Sequence, residues 1–275
     1  MLRRLAAVAI AAAALVGINA TPTRAATTPS FHLVYTDGFN TPTKLGAFRD
    51  CNHNADTRAA YCAGLSGSVR ANWWAYPAGW PDTATQRGYK VGGYYDPAST
   101  LWIAPSSSGD GQLHIRMWRG ASGPVHSATI VPKAAMGLRY GKYEERFRVS
   151  HVATGYKSAH LLWPVDDDGC SEIDFPELEW DTQVAAFAHP SNCGQQVGVD
   201  TGKSWNQWHT SRIEWTPGRI VFLLDGKVVG STTKSVPATP MDWDIQNESA
   251  LNGESAAPNS WGQMDITYVK VWSWS

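Results

Sequence analysis

After its first 25 residues, the chain alternates short apolar runs with clusters of polar and turn-forming residues. Helical periodicity is almost absent, and the apolar or alternating runs have the length of β-strands. The clearest runs are 101–104, 113–118, 140–149, 157–163, 184–189, 210–215, 220–224 and 264–274. Asp225-Gly226 follows the run 220–224 and is a typical two-residue hairpin turn. Many short strands separated by turn signals predict an all-β protein, either an antiparallel sandwich or a barrel.

The first 25 residues follow a different pattern. Arg3 and Arg4 precede an Ala-rich apolar run over 5–18, and 23–25 (Thr-Arg-Ala) offers a cleavage site of small residues. The run is too short to span a bilayer comfortably and is typical of a signal peptide. We therefore expect residues 1–25 to be removed and residues 26–275 to form one secreted, soluble domain.

The charge balance narrows the possible partners. Without the three arginines of the leader, the 23 basic and 24 acidic residues leave a formal charge of −4. No later run is apolar enough for a membrane helix, and no basic patch stands out. Nucleic acid and anionic membranes are therefore not expected partners.

Four cysteines in an exported chain predict two disulfides, and three pairings are possible. Cys51 and Cys62 are close together in a polar stretch, which favours a local bridge. The stretch 171–189 reads as a β-hairpin in which opposed residues have numbers that sum to about 363. Cys170 and Cys193 meet this condition, so they should face each other at its open end.

Acidic residues cluster in the stretch 171–180, SEIDFPELEW. Side chains alternate between the two faces of a regular strand, and strict alternation would place Glu177 on the apolar face. A β-bulge at Pro176, which cannot donate a ladder hydrogen bond, restores an amphipathic pattern. One face then carries Glu172, Asp174, Glu177 and Glu179, and the other carries Ile173, Phe175, Leu178 and Trp180.

Carboxyl groups a few ångströms apart differ in protonation, because one charge opposes the next. Glycoside cleavage needs this division between an ionised nucleophile and a protonated acid. The Cα atoms of Glu172 and Glu177 would be about 13 Å apart, and converging side chains could approach the 5–5.5 Å of retaining enzymes. A solvated acidic strand face and a calcium site are the alternative interpretations.

The sequence EIDFPE at 172–177 resembles the E-x-D-x-x-E signature of glycoside hydrolase family 16, in the bulged form of laminarinase-like members. Other segments resemble further strands of the family in the correct order: 36–40, 111–115, 140–147, 160–164, 213–216 with 224–226, and 264–272. The resemblance implies a β-jelly-roll sandwich of two curved antiparallel sheets, the concanavalin A-like lectin/glucanase fold. A glycan cleft would cross its concave face.

The resemblance also implies a double-displacement, retaining mechanism. By position, Glu172 would be the nucleophile, Asp174 its electrostatic partner and Glu177 the acid/base. Trp163 and His189 are the expected sugar contacts.

Two other residues near this strand are expected to be structural. The alternation described above places Trp180 on the core side. His160 is more typical of a hydrogen-bonded structural histidine than of a sugar contact.

No cofactor is expected for catalysis, although some relatives carry a structural calcium. Asp37 and Asp265, near the opening and closing strands, could hold one, but each is more typical of an ordinary surface acid. The expected partner is a polysaccharide, bound by a monomer.

The expected substrate is a β-1,3- or β-1,3/1,4-glucan cut at internal bonds. Two departures from the family leave this open: 165–170 is short and acidic, and 50–100 matches no family segment and should form loops. A β-galactan or other wall glycan, transglycosylation, and a non-catalytic lectin-like domain remain alternatives. Serine and metal hydrolases rank last, because G-x-S-x-G and H-E-x-x-H motifs are absent from the sequence.

Overall fold

The computed structural model describes residues 28–54, 57–106 and 109–275. The predicted signal peptide, 1–25, lies outside this part of the chain. No helix in the described part is long and apolar enough to cross a membrane.

The described residues form mainly β-strands, with a few short helices. The strands are β1 (Phe31–Asp37), β2 (Trp73–Ala75), β3 (Gly93–Tyr95), β4 (Leu101–Pro105), β5 (Gly111–Arg119), β6 (Val125–Pro132), β7 (Gly141–His151), β8 (Tyr156–Pro164), β9 (Glu172–Glu179), β10 (Gln183–His189), β11 (Val197–Ser204), β12 (His209–Thr216), β13 (Arg219–Leu224), β14 (Lys227–Thr232), β15 (Met241–Ser249) and β16 (Trp261–Trp274). The helices are α1 (Gly67–Asn72), α2 (Thr83–Gln86), α3 (Pro97–Thr100) and a 3₁₀ turn at Lys133–Ala135.

All eight runs predicted as strands are strands, with ends that differ by up to three residues. The predicted hairpin turn between β13 and β14 is also confirmed. Asp225 and Gly226 both have positive φ, 51° and 76°, as a turn of this kind requires.

The strands form two sheets that share β6. One sheet has the order β11-β10-β9-β8-β15-β6, and the other β5-β16-β7-β12-β13-β14. The first residues of β6 pair with β5, and the following residues pair with β15, so the strand passes from one sheet to the other. All pairs of named strands are antiparallel except β3 with β6. The predicted sandwich of two curved antiparallel sheets is confirmed.

Aromatic side chains from both sheets fill the space between them. Phe175 of β9 meets Phe222 of β13 at 5.6 Å between ring centroids, and Tyr143 of β7 meets Trp243 of β15 at the same separation. Burial of each such side chain stabilises the fold by about 1.5–3 kcal/mol. Trp180 lies in this core, as predicted.

Trp180 and Gly262 mark a close approach of the two sheets. The indole Nε1 of Trp180 donates to Ser158 Oγ at 2.8 Å. A Cβ atom at Gly262 of β16 would lie 2.7 Å from the indole ring, so only glycine fits there.

His160 is structural, as predicted. It is fully buried, and its Nδ1 lies 2.6 Å from Glu145 Oε1 of β7. The pair joins one sheet to the other through the core.

Both predicted disulfides are present, Cys51–Cys62 and Cys170–Cys193. The register used to predict the second one is wrong, because Glu172 lies opposite His189 rather than Ser191. The loops beyond the strand ends still bring the two Cα atoms within 4.8 Å.

The segment 50–100 was expected to form loops, and this is correct only in part. It contains α1, α2, α3, β2 and β3. The strands β2 and β3 pair with β6, which places the segment beside the sheet that carries β9.

Candidate active site

The acidic strand β9 contains the predicted bulge. On β8 and on β10, one residue separates the partners of Asp174 and Glu177, whereas β9 has two, Phe175 and Pro176. The peptide bond between these two is cis. The extra residue turns Glu177 to the same face as Glu172, which explains how acids five positions apart share one side of the strand.

One apolar residue of β9 departs from the predicted alternation. Leu178 was placed on the core face, but it is only half-buried and borders the cleft beside Glu177. Its backbone φ is 117°, a value that residues other than glycine rarely adopt. The bulge disturbs the strand for two residues beyond Pro176. The regular alternation of faces that was assumed for these residues does not include this effect.

Glu172, Asp174 and His189 form one cluster. His189 Nε2 lies 3.6 Å from Glu172 Oε2 and 3.3 Å from Asp174 Oδ2. The Asp174 side chain is 1% exposed and that of Glu172 is 24% exposed. Burial and the neighbouring Asp174 raise the pKa of Glu172 to about 9, and burial and Glu177 raise the pKa of Asp174 well above its usual value.

The carboxyls of Glu172 and Asp174 titrate as a pair, because they lie close enough for the protonation of one to change the pKa of the other. With both pKa values raised, the pair keeps at least one proton at neutral pH. Two carboxyls and an imidazole whose ligating atoms lie within 4.8 Å are also a donor set for a metal ion. The retained proton opposes such binding, because metal ligation requires deprotonated groups.

Glu177 faces a buried lysine instead. Lys157 Nζ of β8 lies 3.1 Å from Glu177 Oε1 and 3.8 Å from Glu248 Oε1 of β15. Burial alone would lower the pKa of Lys157, but the two carboxylates outweigh it and raise that pKa above its usual value. Lys157 therefore stays charged and neutralises part of the acidic cluster.

Glu179, the fourth acid of the strand, has a structural setting. Its Oε1 accepts hydrogen bonds from the backbone N–H groups of Leu251 and Asn252, at 3.0 and 3.1 Å. It holds the loop after β15 against β9.

The cleft consists of two cavities that meet at Glu172, with volumes of about 750 and 370 Å³. Both are bordered by Glu172, Arg87, Thr83, Leu161 and Gln246. The larger one has an aromatic lining: Tyr76, Trp80, Tyr95 and Trp163. The smaller one contains Glu177, Lys157 and His189.

The sequence-predicted residues divide between these cavities. Trp163 is 36% exposed and lines the larger cavity, and His189 lines the smaller one. Of the three signature acids, Glu172 borders both cavities, Glu177 lines the smaller one, and Asp174 is buried beneath them.

Sequence reasoning missed several cleft residues. Lys157 could have been noticed in the sequence, because a lysine is unusual in a mainly apolar strand such as β8. The other basic side chain of that strand is the buried His160. Glu248 could also have been noticed, because 241–246 alternates apolar and polar residues and was overlooked as a strand, with Glu248 on the same face as its polar residues. Tyr76, Trp80 and Arg87 had no such signal, since 50–100 has no clear periodicity.

The suggested calcium ligands do not fit a shared site. Asp37 pairs with Val269, four residues from Asp265 along β16, so the two acids are about 13 Å apart. Asp265 Oδ1 lies 2.8 Å from both His114 Nδ1 and Gln263 Nε2, and an Arg148 nitrogen lies 3.6 Å from Oδ2. The groups around the Asp265 carboxylate are therefore nitrogen atoms, one of them from a cationic guanidinium, whereas calcium is bound by oxygen ligands.

Comparisons with known proteins agree with this geometry. The family model described as glycosyl hydrolases family 16 matches residues 104–270. The β-glucanase of Bacillus subtilis (strain 168) is 26% identical over 183 residues, which are 58% of this chain and 75% of that protein.

Solved structures share the fold. LamA from Z. galactanivorans, crystallised with laminaritriose and laminaritetraose, has a TM-score of 0.64 at 17% identity, over 89% of this chain and 100% of that one. SCLam, a non-specific endo-β-1,3(4)-glucanase, has a TM-score of 0.62 at 18% identity, over 88% of this chain and 91% of that one. The expected glucanase-type jelly roll is confirmed. Because the family match spans more than half of the chain and includes the acidic strand, this chain belongs to glycosyl hydrolases family 16 and is a glycoside hydrolase.

Proposed function

We propose that the protein is a secreted, retaining endo-β-glycanase whose residues 26–275 form one catalytic domain, with a β-1,3- or β-1,3/1,4-glucan as substrate. The observation that carries this proposal is the bulged strand β9. It presents Glu172 and Glu177 to one aromatic-lined cleft but gives them opposite electrostatic surroundings. The glucanase relatives support the substrate class.

In the first half of the reaction, Glu172 attacks the anomeric carbon and Glu177 protonates the leaving oxygen. The pair Glu172–Asp174 holds one proton, and burial acts most strongly on Asp174, which is almost completely inaccessible. Asp174 therefore keeps that proton, and Glu172 is left ionised beside it. His189, next to both, assists the ionisation of Glu172 when it carries a charge.

In the second half, Glu177 acts as a base and removes a proton from water. The water attacks the anomeric carbon of the glycosyl-enzyme from the side that the first leaving group vacated, and the ester bond to Glu172 breaks, which releases Glu172 as a carboxylate. Two displacements at one carbon return the original anomeric configuration, so the mechanism is retaining.

The cleft favours internal cleavage of a neutral chain. Space continues on both sides of Glu172, so a polymer can extend in both directions. Trp163, Trp80 and Tyr76 provide apolar surfaces for sugar rings in the larger cavity. The many carboxylates around it repel sulfated or uronate-rich polymers.

The test is product release from laminarin, lichenan, xyloglucan, agarose, carrageenan and arabinogalactan. Wild type should cleave laminarin, lichenan or both, and Glu172→Gln and Glu177→Gln should each lose about 10²–10⁴-fold in kcat. Asp167→Asn, which removes an acid of the larger cavity outside β9, is the matched control and should stay active. Full activity of both glutamine variants would overturn the assignment, and binding without cleavage by the wild type would indicate a lectin.

The roles of the two glutamates can be separated by stereochemistry. With an aryl β-glycoside that carries a good leaving group, azide should give the β-glycosyl azide with Glu177→Ala, because it replaces the second attack. With Glu172→Ala it should give the α-glycosyl azide, because it replaces the nucleophile. NMR of the products distinguishes the anomers, and the reverse pattern would exchange the two roles.

A further inference from the structure

Lys157 is a buried cation placed among carboxylates. It lies directly opposite Glu179 on β9 and Glu248 on β15, and its ammonium also reaches Glu177. Among the described residues that line the two cavities, the lysine and arginine side chains are Lys157 and Arg87, and only Lys157 is buried. A lysine is seldom buried unless it is paired.

The surroundings of Glu177 are otherwise mainly acidic. The charged or titratable groups that face this cluster are Glu172, Asp174 and Glu179 of β9, His189 of β10, Glu248 of β15, and Asp82 and Arg87 at the two ends of α2. Like charges at short range hold a carboxyl in its protonated form. Set among these groups, Lys157 is the cation in direct contact with Glu177, at 3.1 Å.

We propose that Lys157 is a positioning residue for Glu177, which holds one of its carboxylate oxygens and favours its ionised form in the step that activates water. This inference rests on the acid/base role proposed above for Glu177. The 3.1 Å contact engages Oε1, so Oε2 is left to face the glycosidic oxygen and then the attacking water. Lys157 exchanges no proton with the substrate and acts only through Glu177.

Glu248 determines how strongly Lys157 acts. It is 1% exposed, shares the ammonium at 3.8 Å, and its Oε2 accepts a hydrogen bond from Thr83 N at the start of α2. If the negative charge of Glu248 is removed, the Lys157 ammonium interacts more strongly with Glu177. Variants of Lys157 and Glu248 should therefore shift the titration of Glu177 in opposite directions.

The experiment measures kcat/KM and kcat against pH for the mature chain, on a polymer that the wild type cleaves. In Lys157→Met, the basic limb of kcat/KM, where Glu177 loses its proton, should move up by about one to three pH units. At any pH below the shifted limb, the ionised fraction of Glu177 is then lower than in the wild type by about tenfold for each pH unit of the shift. We expect kcat to fall by the same factor, because the step that activates water needs ionised Glu177. Lys157→Arg restores the charge and should keep the limb near its wild-type position.

Glu248→Gln should move the basic limb down. Lys142→Met, which removes a lysine stacked on Trp272 of β16, is the matched control and should leave the limb unchanged. Circular dichroism and thermal melting identify the variants that fold. If Lys157→Met does not fold, the direction of the Glu248→Gln shift decides the question.

Two failures are distinguishable. A folded Lys157→Met whose pH profile superimposes on that of the wild type overturns the role of Lys157 alone, and so does an unshifted Glu248→Gln. A Glu177→Gln variant with full activity overturns the acid/base role on which this inference rests.

Discussion

The surroundings of Glu172 disfavour the ionised form of its carboxyl group. It is mostly buried, it borders Asp174, and its pKa rises to about 9, against about 4.3 for an unperturbed glutamate. Between these two pH values, the folded protein keeps a proton on the pair Glu172–Asp174 that the unfolded chain has released. The free energy of unfolding therefore falls as pH rises through this range, because linkage favours the state that binds fewer protons.

Glu172→Gln removes one of the two interacting carboxyls, and with it part of this pH dependence. We expect the variant to melt several degrees above the wild type at pH 8, where one kcal/mol corresponds to about 2–4 °C, and to match it near pH 4. Calorimetric melting at pH 4, 6 and 8 measures the difference. Glu214→Gln on β12, which carries an ion pair outside the cleft, is the control and should show no comparable gain at pH 8. A difference between Glu172→Gln and wild type that is the same at all three pH values would contradict the argument.

At the scale of elements, one buried carboxylate joins three segments of the cleft wall. Asp82 is completely buried, and its Oδ1 accepts hydrogen bonds from Thr85 N of α2 and Gly93 N of β3. Its Oδ2 accepts one from Ser249 N of β15. These bonds fix α2, and with it Arg87, against the sheet that carries the acids.

Asp82→Asn places an amide N–H against a backbone N–H and leaves that donor unpaired. We expect a loss of about 1–3 kcal/mol in the free energy of unfolding, together with a higher KM, because the wall formed by α2 loosens. Urea unfolding and steady-state kinetics measure the two effects. Asp96→Asn, at the start of α3 and partly exposed, is the matched control and should lose less stability. An equal loss in both variants would show that Asp82 does not have this anchoring role.

The elements also show where sequence reasoning succeeds. Strands such as β13 and β16 were predicted because one face is buried, which forces apolar and polar residues to alternate. The bulge in β9 was predicted because four acids cannot otherwise share a face. The predicted register of β9 with β10 was wrong by one residue already at the pair Glu177–Ala185, and the bulge adds a second residue of shift by the pair Glu172–His189.

The cleft wall formed by 76–87 could not be predicted from local pattern. Tyr76 and Trp80 are ordered by contacts with each other and with residues distant in sequence, such as the hydrogen bond from Tyr76 to Asp244. Contacts of this kind leave no periodicity in the chain. Lys157 illustrates the same limit, because its charge is visible in the sequence but its partners lie on two other strands.

At the scale of the whole molecule, the two sheets are joined through their core by a polar contact. His160 lies on β8 beside the bulge of β9, and Glu145 lies on β7 in the other sheet. Both are fully buried, and His160 Nε2 and Glu145 Oε2 have no hydrogen-bond partner within the described residues. Such a pair is sensitive to the loss of either member, because the remaining group stays buried without a partner.

His160→Leu and Glu145→Leu should each lower the free energy of unfolding by about 3–5 kcal/mol. The double variant His160→Leu/Glu145→Leu should lose much less than the sum, because apolar side chains of similar size then meet across the core and no polar group is left unpaired. Urea unfolding of the four proteins gives the coupling energy between the two positions. Additive losses would mean that the two residues act independently. In that case packing of each sheet, rather than this contact, would hold the strand with the acids over the opposite sheet.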